Sequence, residues 1–242
     1  MKLQGVKFKL VVIIGGVVFA IVLFLVSPFF RIQEVVIQGN VRVSEADIRN
    51  RLEVTAGSGN ILMFNTNAAH SRLVGNLYIA DVIFRRDLPG RLYVTVLERR
   101  LSAYVEHFGS FLYLDDFGRV LEVRSYMSES LPLLEGLRFS SFQLGEVLEV
   151  ENPVDFAAVV QYTQLLIAYD LIHRISHINV ADPANIRILV NYLEFHVGGI
   201  ADADEKVRTI AEILRELPDA GRIRGFVNMR QLQTQYFLEL LQ

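Results

Sequence analysis

The stretch LVVIIGGVVFAIVLFLV, residues 10–26, contains only apolar residues and glycines, and it decides how the rest of the chain is arranged. At ~1.5 Å per residue a helix over this run is about 25 Å long, and flanking apolar residues extend it toward the ~30 Å hydrocarbon core of a bilayer. Lysines without an acid precede the run, which by the positive-inside bias places the N-terminus in the cytoplasm. The sequence predicts a cytoplasmic tail at 1–9, a transmembrane helix at 10–29 and an extracytoplasmic remainder.

A cleaved secretory signal begins in the same way, with basic residues before an apolar run. The run here is longer than the ~7–15 residues usual for such signals, and no small-residue cleavage site follows it at residues 26–29. We therefore expect an uncleaved, single-pass anchor in the inner (cytoplasmic) membrane, with the lipid bilayer as one partner.

Composition excludes several classes of function. The 242-residue chain has no cysteine, which removes thiolate catalysis, disulfides and cysteine-type zinc sites. Its formal net charge of −3 does not favour binding to a phosphate backbone. We expect no nucleic-acid partner, no small-molecule substrate and no cofactor.

Residues 30–98 carry the pattern strand, helix, helix, strand, strand. Pro89 and Gly90 provide the fixed φ and the permitted positive φ of a turn before the last strand. Three strands cannot hide both edges of a sheet, so a free edge is available for strand addition by a partner. The predicted elements are a strand at 31–38, a helix at about 44–53 capped by Ser44, a helix capped by Asn65 or Thr66, and strands at 78–86 and 91–98.

These motifs resemble a known family. An N-terminal apolar helix, then FRIQEVVIQGN at 30–40, a serine-capped helix and RRDLPGRLYVTVLER at 85–99 are similar to the FtsQ/DivIB family of bacterial cell-division proteins. The resemblance covers most of the chain in order. It implies a POTRA domain of βααββ order at 30–98.

Residues 99–242 continue the resemblance as a second domain, although Leu101 stands where the family pattern has proline. The segments YLDDFGRVL at 113–121 and LPLLEG at 131–136 are similar to family segments, and Asp116-Phe117-Gly118 is a tight turn rather than a kinase motif. We expect an α+β domain with a mainly antiparallel sheet and packed helices. The predicted elements are a hairpin at 111–121, a helix begun by Asn152 and Pro153, strands at 186–190 and 193–197, a helix capped by Asp202 or Asp204 and ended by Pro218, and strands at 223–230 and 234–241.

No catalytic or metal-binding set is evident. His173 and His177 have the i, i+4 spacing of two helical metal ligands, but there is no HExxH glutamate or third ligand, so we assign no metal site. Candidate acids are present but unpaired, and no serine-hydrolase motif occurs, so we predict that the chain is not an enzyme. The acids considered are Asp115, Asp116, Glu194 and Asp204.

The partner-binding prediction follows from the resemblance. The segment GFVNMR at 225–230 is similar to a family motif whose usual form is V-D-L-R, with Asn228 in place of the aspartate. In the family, the next strand is the sheet edge that receives another division protein, FtsB, by β-augmentation; an ordinary closing strand is the alternative. The residues carried over to this edge are Arg230, Gln231, Gln233, Gln235, Tyr236 and Leu238.

The function implied is that of a membrane-anchored, noncatalytic assembly protein of the bacterial divisome at the septum. Its expected partners are other membrane-bound division proteins, similar to FtsB and FtsL, and septal cell-wall synthesis proteins. Two alternatives are an anchored cell-wall hydrolase and a POTRA-containing export or assembly factor that binds extended polypeptides.

Overall fold

The computed structural model describes residues 2–127, 130–217, 224–231 and 238–240. The chain divides into two compact units, Met1–Arg99 and Arg100–Gln242. Within the described residues there are two sheets, one of three strands and one of nine, accompanied by helices. The fold is therefore α+β, as predicted.

The first unit follows the predicted βααββ order after an N-terminal helix. Its sheet has the order β1-β3-β2, and β3 pairs parallel with β1 and antiparallel with β2. Strand β1 is shorter than predicted because residues 31–33 are hydrogen-bonded to loop residues instead of to a strand. The elements are α1 (Lys2–Val26), β1 (Glu34–Gln38), α2 (Glu45–Leu52), α3 (Thr66–Val74), β2 (Ile79–Asp87) and β3 (Arg91–Glu98).

Local capping explains where the two short helices begin. The Ser44 side chain accepts a hydrogen bond from the amide of Asp47, and the Asn65 side chain accepts one from the amide of Ala68. Each oxygen satisfies a first-turn amide that has no partner inside the helix. The prediction for α2 is confirmed, and Asn65 rather than Thr66 caps α3.

One apolar core holds the first unit together. The inward face of β3 and the facing sides of both short helices are fully buried. Burial of an aliphatic side chain stabilises by about 1.5–3 kcal/mol, so this small core depends on each of these residues. They include Leu92, Val94, Val96, Ile48, Leu52 and Leu73.

Helix α1 precedes this core as a regular helix of 25 residues. Its side chains at positions 11–26 are exposed. Within the part of the chain that the structure describes, no helix combines the length and the apolar character needed to cross a membrane.

The second unit is built on the larger sheet, whose strand order is β12-β11-β10-β9-β8-β7-β4-β5-β6. The pairs β4–β7, β7–β8 and β10–β11 are parallel and the other described pairs are antiparallel, so the sheet is mainly antiparallel. The elements are β4 (Ala103–His107), β5 (Ser110–Leu114), β6 (Val120–Arg124), β7 (Leu133–Glu135), α4 (Pro153–Ala168), β8 (His177–Asn179), β9 (Ile186–Val190), β10 (Leu193–Gly198), α5 (Ala203–Glu216), β11 (Gly225–Asn228) and β12 (Leu238–Leu240).

The two long helices start differently. Asn152 accepts a hydrogen bond from the amide of Val154 and Pro153 opens α4, as predicted.

The predicted cap of α5 is wrong: Asp202 precedes that helix, but it has a left-handed backbone (φ 56°) and makes no capping hydrogen bond. A capping side chain reaches the first-turn amides from an extended backbone, which Asp202 lacks. Asp204 instead accepts a hydrogen bond from the Tyr169 hydroxyl at 3.2 Å.

The predicted β5–β6 turn is held by an aspartate. The buried Asp115 carboxylate accepts hydrogen bonds from the amides of Phe117 (3.0 Å) and Arg119 (2.8 Å). Gly118 has φ +77°, and a Cβ there would overlap the ring of Phe156. The Asp-Phe-Gly sequence is therefore a structural turn that packs against α4.

Candidate partner-binding edge

Strand β12 lies at one end of the nine-stranded sheet. It pairs antiparallel with β11, with Leu238 opposite Val227 and Leu240 opposite Gly225. In the described parts of the chain no strand pairs with its other side, and β6 is at the opposite end of the sheet. An edge strand of this kind presents main-chain donors and acceptors to an incoming strand.

The predicted partner-binding residues fall partly on this edge. Arg230 and Gln231 are exposed immediately after β11, and Leu238 is the first residue of β12. Gln233, Gln235 and Tyr236 lie outside the described residues. The predicted closing strand at 234–241 corresponds to β12 over its described part.

Strand β11 is held in the sheet by its pairing with β10 and by the buried residue that follows it. It runs parallel to β10, with Leu193 opposite Gly225 and Phe195 opposite Val227. Beyond it, Met229 is fully buried and its amide donates a 2.9 Å hydrogen bond to the His196 carbonyl. Strand β11, with which β12 pairs, is therefore anchored by core packing and by main-chain hydrogen bonds.

Arg230 is positioned by three contacts where the chain leaves β11. Its Nε donates a 3.0 Å hydrogen bond to Oδ1 of Asn185, and its amide donates to Oδ1 of Asn228 at 3.3 Å. Its backbone also lies close to Gly198, because a Cβ on that glycine would stand 3.3 Å from the Arg230 Cα. Asn228 thus supplies a side-chain oxygen that stabilises the turn, which an aspartate is equally able to do.

Aromatic and charged side chains lie on the outward face beside the edge. The rings of Phe226 and His196 stack with centroids 4.9 Å apart. Glu194 is 3.2 Å from His196 Nε2 and 3.2 Å from Arg187 Nη1. These contacts order the face next to β11, and the stacking of Phe226 on His196 was not predicted because it joins residues far apart in sequence.

A buried lysine supports the same region from the core side. Lys206 is 2% exposed, and its ammonium donates to the carbonyls of Val197 (2.8 Å) and Gly199 (3.4 Å). The Tyr162 hydroxyl donates to the same Gly199 carbonyl at 2.9 Å. Burial lowers the pKa of Lys206 below its ordinary value and raises the pKa of Tyr162 above its ordinary value. Together they fix the end of β10, against which Arg230 packs.

The two histidines considered as metal ligands lie on different elements. His173 is in a 3-10 turn with Nδ1 3.0 Å from the Ser130 carbonyl, whereas His177 is in β8 with Nε2 3.9 Å from Glu135. Within the described residues no group of three His, Cys, Asp or Glu side chains is placed to hold a metal ion.

The order of elements and the strand pairing of the first unit define a POTRA-type domain, and the comparisons with known proteins identify its type. The family model described as "POTRA domain, FtsQ-type" matches residues 30–99. The cell division protein DivIB of Clostridium tetani is 22% identical over 204 residues, which are 84% of this chain and 77% of that protein. DivIB of Clostridium botulinum strain Hall is 24% identical over 94% of this chain and 89% of its own length.

Two further similarities have narrower coverage or lower identity. Cell division protein FtsQ of Bradyrhizobium diazoefficiens is 32% identical over 46% of this chain and 32% of that protein. The solved extracytoplasmic domain of DivIB from Geobacillus stearothermophilus, in its trans isomer, is 19% identical, with a TM-score of 0.32 over 50% of this chain and 96% of that one. The resemblance to the FtsQ/DivIB family is confirmed by the family model and by the similarity to these DivIB and FtsQ proteins.

Proposed function

We propose that this protein is a membrane-anchored, noncatalytic assembly protein of bacterial cell division, which recruits and links division proteins at the septum. The proteins it resembles, the cell division proteins DivIB and FtsQ, support the cell-division role. The observation that carries the mechanism is the position of β12 at the end of the nine-stranded sheet.

Strand addition is the interaction that such an edge offers. A partner segment in extended form pairs through its main chain, and the side chains around the edge give specificity. Arg230 and Gln231 are exposed where the chain leaves β11, so they lie in reach of a strand added beside β12. The partners expected from the family resemblance are membrane-bound proteins similar to FtsB and FtsL, together with septal cell-wall synthesis proteins.

Helix α1 is the proposed anchor. Its apolar side chains at positions 11–26 are exposed on all sides, an arrangement that suits a lipid environment and is costly in water. An anchor confines the protein to two dimensions and raises the effective concentration of its edge for other membrane-bound partners. The protein then acts by associating with partner proteins and not by catalysing a reaction.

Three of the acids considered as catalytic candidates have structural partners that fit this noncatalytic role. Asp115 holds the β5–β6 turn, Glu194 contacts Arg187 and His196, and Asp204 accepts from Tyr169. Each of these contacts gives its carboxylate a structural role.

Photo-crosslinking in growing cells tests the proposed interface. A photoreactive residue at Gln231, Gln233 or Tyr236 is expected to crosslink to a small membrane-bound division protein, and a fluorescent fusion of the full chain is expected to form septal bands. Val123 is the matched control, because it is 42% exposed and lies on β6 at the opposite end of the sheet.

Equal crosslinking from Val123 and from the β12 region would reject the edge as the specific interface. A uniform envelope signal, with crosslinks to varied exported polypeptides, would instead support the export or assembly alternative.

A further inference from the structure

We propose that one end of the first unit, the basal patch formed by the exposed side chains of Phe29, Met63 and Leu88, inserts into the lipid interface of the membrane. This inference rests on the proposed anchoring by α1 and goes beyond it, because it gives the globular part of the unit its own lipid contact. The patch combines apolar side chains from three separate segments at the end where α1 leaves the unit.

The loop that carries Met63 is hydrogen-bonded directly to the end of α1. The Asn60 side-chain amide donates a 2.7 Å hydrogen bond to the Leu25 carbonyl, in the last turn of the helix. The rings of Phe24, Phe29 and Phe30 form a cluster with centroids 5.1 to 5.8 Å apart. The loop that contains Asn60 therefore lies beside the last turn of α1.

Residues 30–33 fix two loops at this same end. They form main-chain hydrogen bonds with the loop at 57–61 on one side and with the turn at 87–90 on the other. Gly90 is packed so closely that a Cβ there would stand 2.5 Å from the Arg31 carbonyl oxygen. The hydrogen bonds are Gly57 N to Ile32 O (2.6 Å), Ile32 N to Gly59 O (3.2 Å), Ile61 N to Phe30 O (2.8 Å) and Gln33 N to Gly90 O (2.7 Å).

Each segment carries one large exposed apolar side chain. Phe29 is 55% exposed, Met63 67% and Leu88 55%. A single exposed apolar residue is ordinary, but here three lie on adjoining segments beside an apolar helix. Apolar surface at the end of a membrane helix lies at the headgroup level, where its burial among acyl chains is favourable.

The charges at this end suit an anionic lipid surface. The acids Glu34 and Asp87 are paired with Arg91, at 2.7 and 3.9 Å. Arg31 and Arg86 are exposed and form no ion pair with the residues that the structure describes. Arg86 is held near Met63, because it donates a 2.8 Å hydrogen bond to the Phe64 carbonyl. Basic side chains beside exposed apolar ones are the combination that interfacial segments use.

The opposite end of the unit provides an internal control. Strand β1 runs away from α1, and the loop after it carries Val41, which is 94% exposed. At ~3.3 Å per residue the strand separates that loop from the basal patch by more than a headgroup layer. Val41 is therefore expected to remain in water when Met63 and Leu88 are in lipid.

Tryptophan fluorescence tests the inference directly, since the chain has no tryptophan of its own. The full chain carrying Met63→Trp, Leu88→Trp, Val41→Trp or Val18→Trp is placed in vesicles of phosphatidylcholine and phosphatidylglycerol. One set of vesicles carries acyl chains brominated near the headgroup end, which quench indole rings at the interface. A second set carries acyl chains brominated near the terminal methyl, which quench indole rings at the bilayer centre and so report on the tryptophan at position 18. Tryptophan at 63 and 88 is expected to lose about half of its fluorescence relative to unbrominated vesicles, while tryptophan at 41 is unaffected.

Val18→Trp, within α1, distinguishes failure of the basal patch from failure of the proposed anchor. If tryptophan at 18 is quenched but tryptophan at 63 and 88 behaves like that at 41, the anchor stands and the basal patch is overturned. Quenching at only one of positions 63 and 88 also overturns the patch as defined. If tryptophan at 18 is not quenched, the anchor of the proposed function fails, and the inference fails with it.

Discussion

The carboxylate of Glu98, at the last position of β3, accepts a 2.8 Å hydrogen bond from the backbone amide of Arg42. It also accepts hydrogen bonds from the amides of Val41 (3.0 Å) and Val43 (2.9 Å). Three successive amides thus surround one charged side chain and hold the loop after β1 against the end of β3. Gly39 lets that loop start, because its φ is +84° and a Cβ there would overlap the Val96 carbonyl.

Glu98→Ala is expected to destabilise the first unit by about 1–3 kcal/mol, because it leaves these amides without their charged acceptor. The free energy of opening is measured from hydrogen exchange of the amides of 41–43 at increasing urea concentrations. Glu53→Ala is the control: Glu53 is 68% exposed and lies 3.6 Å from Arg72, so its removal is expected to cost under about 1 kcal/mol. Equal losses in the two variants would contradict the importance of the Glu98 contacts.

Lys206→Met is expected to change how the stability of the second unit depends on pH. Burial holds the pKa of Lys206 below its ordinary 10.5, so the unfolded chain binds this proton more tightly than the folded chain does. The free energy of unfolding of the unaltered chain should therefore rise, relative to Lys206→Met, as pH increases from the lowered pKa toward 10.5.

The measurement is the difference between the unfolding free energies of the two proteins along an alkaline series. Titrating groups that share no partner with Lys206 are present in both proteins and cancel in the difference. A difference that stays constant up to the ordinary lysine pKa would show that burial does not lower the pKa of this amine.

The features predicted correctly from the sequence are those that local chemistry decides. Ser44, Asn65 and Asn152 cap the helices that follow them, and each cap needs only residues two or three positions further on. The β5–β6 turn around Asp115 is local in the same sense.

The features that the sequence left open depend on residues far apart in the chain. Strands β7 and β8 are three residues each, too short for a clear alternating pattern, and they connect the two halves of the large sheet through parallel pairs. The contacts of Lys206 with β10 and of Arg230 with Asn185 also require that sheet to be assembled first. The candidate edge was accordingly predicted from family resemblance, whereas its supporting contacts were found in the structure.

Asp81 is expected to titrate below its ordinary pKa of 3.8, because the His70 ring stands 2.7 Å from its carboxylate and the Val82 amide also donates to it. A lowered pKa in the folded state stabilises above the ordinary pKa, and this contribution is lost as pH falls through the lowered value. Carboxyl-carbon NMR should show the Asp81 pKa rising in His70→Ala and unchanged in His107→Ala, a histidine of the second unit. No rise in His70→Ala would contradict the pairing.

Gly198→Ala is expected to weaken partner binding at the β12 edge by displacing Arg230. The glycine has φ +69°, and an added Cβ would lie 3.3 to 3.4 Å from the backbone and side chain of Arg230, which must then move. Gly109→Ala is a matched control in the same unit, since Gly109 has φ +76° and nothing within 4 Å of an added Cβ. Both variants carry the left-handed strain of about 1–2 kcal/mol, but only Gly198→Ala disturbs the edge. Photo-crosslinking from Gln231 should therefore fall in Gly198→Ala and persist in Gly109→Ala, and an equal fall in both would attribute the effect to stability alone.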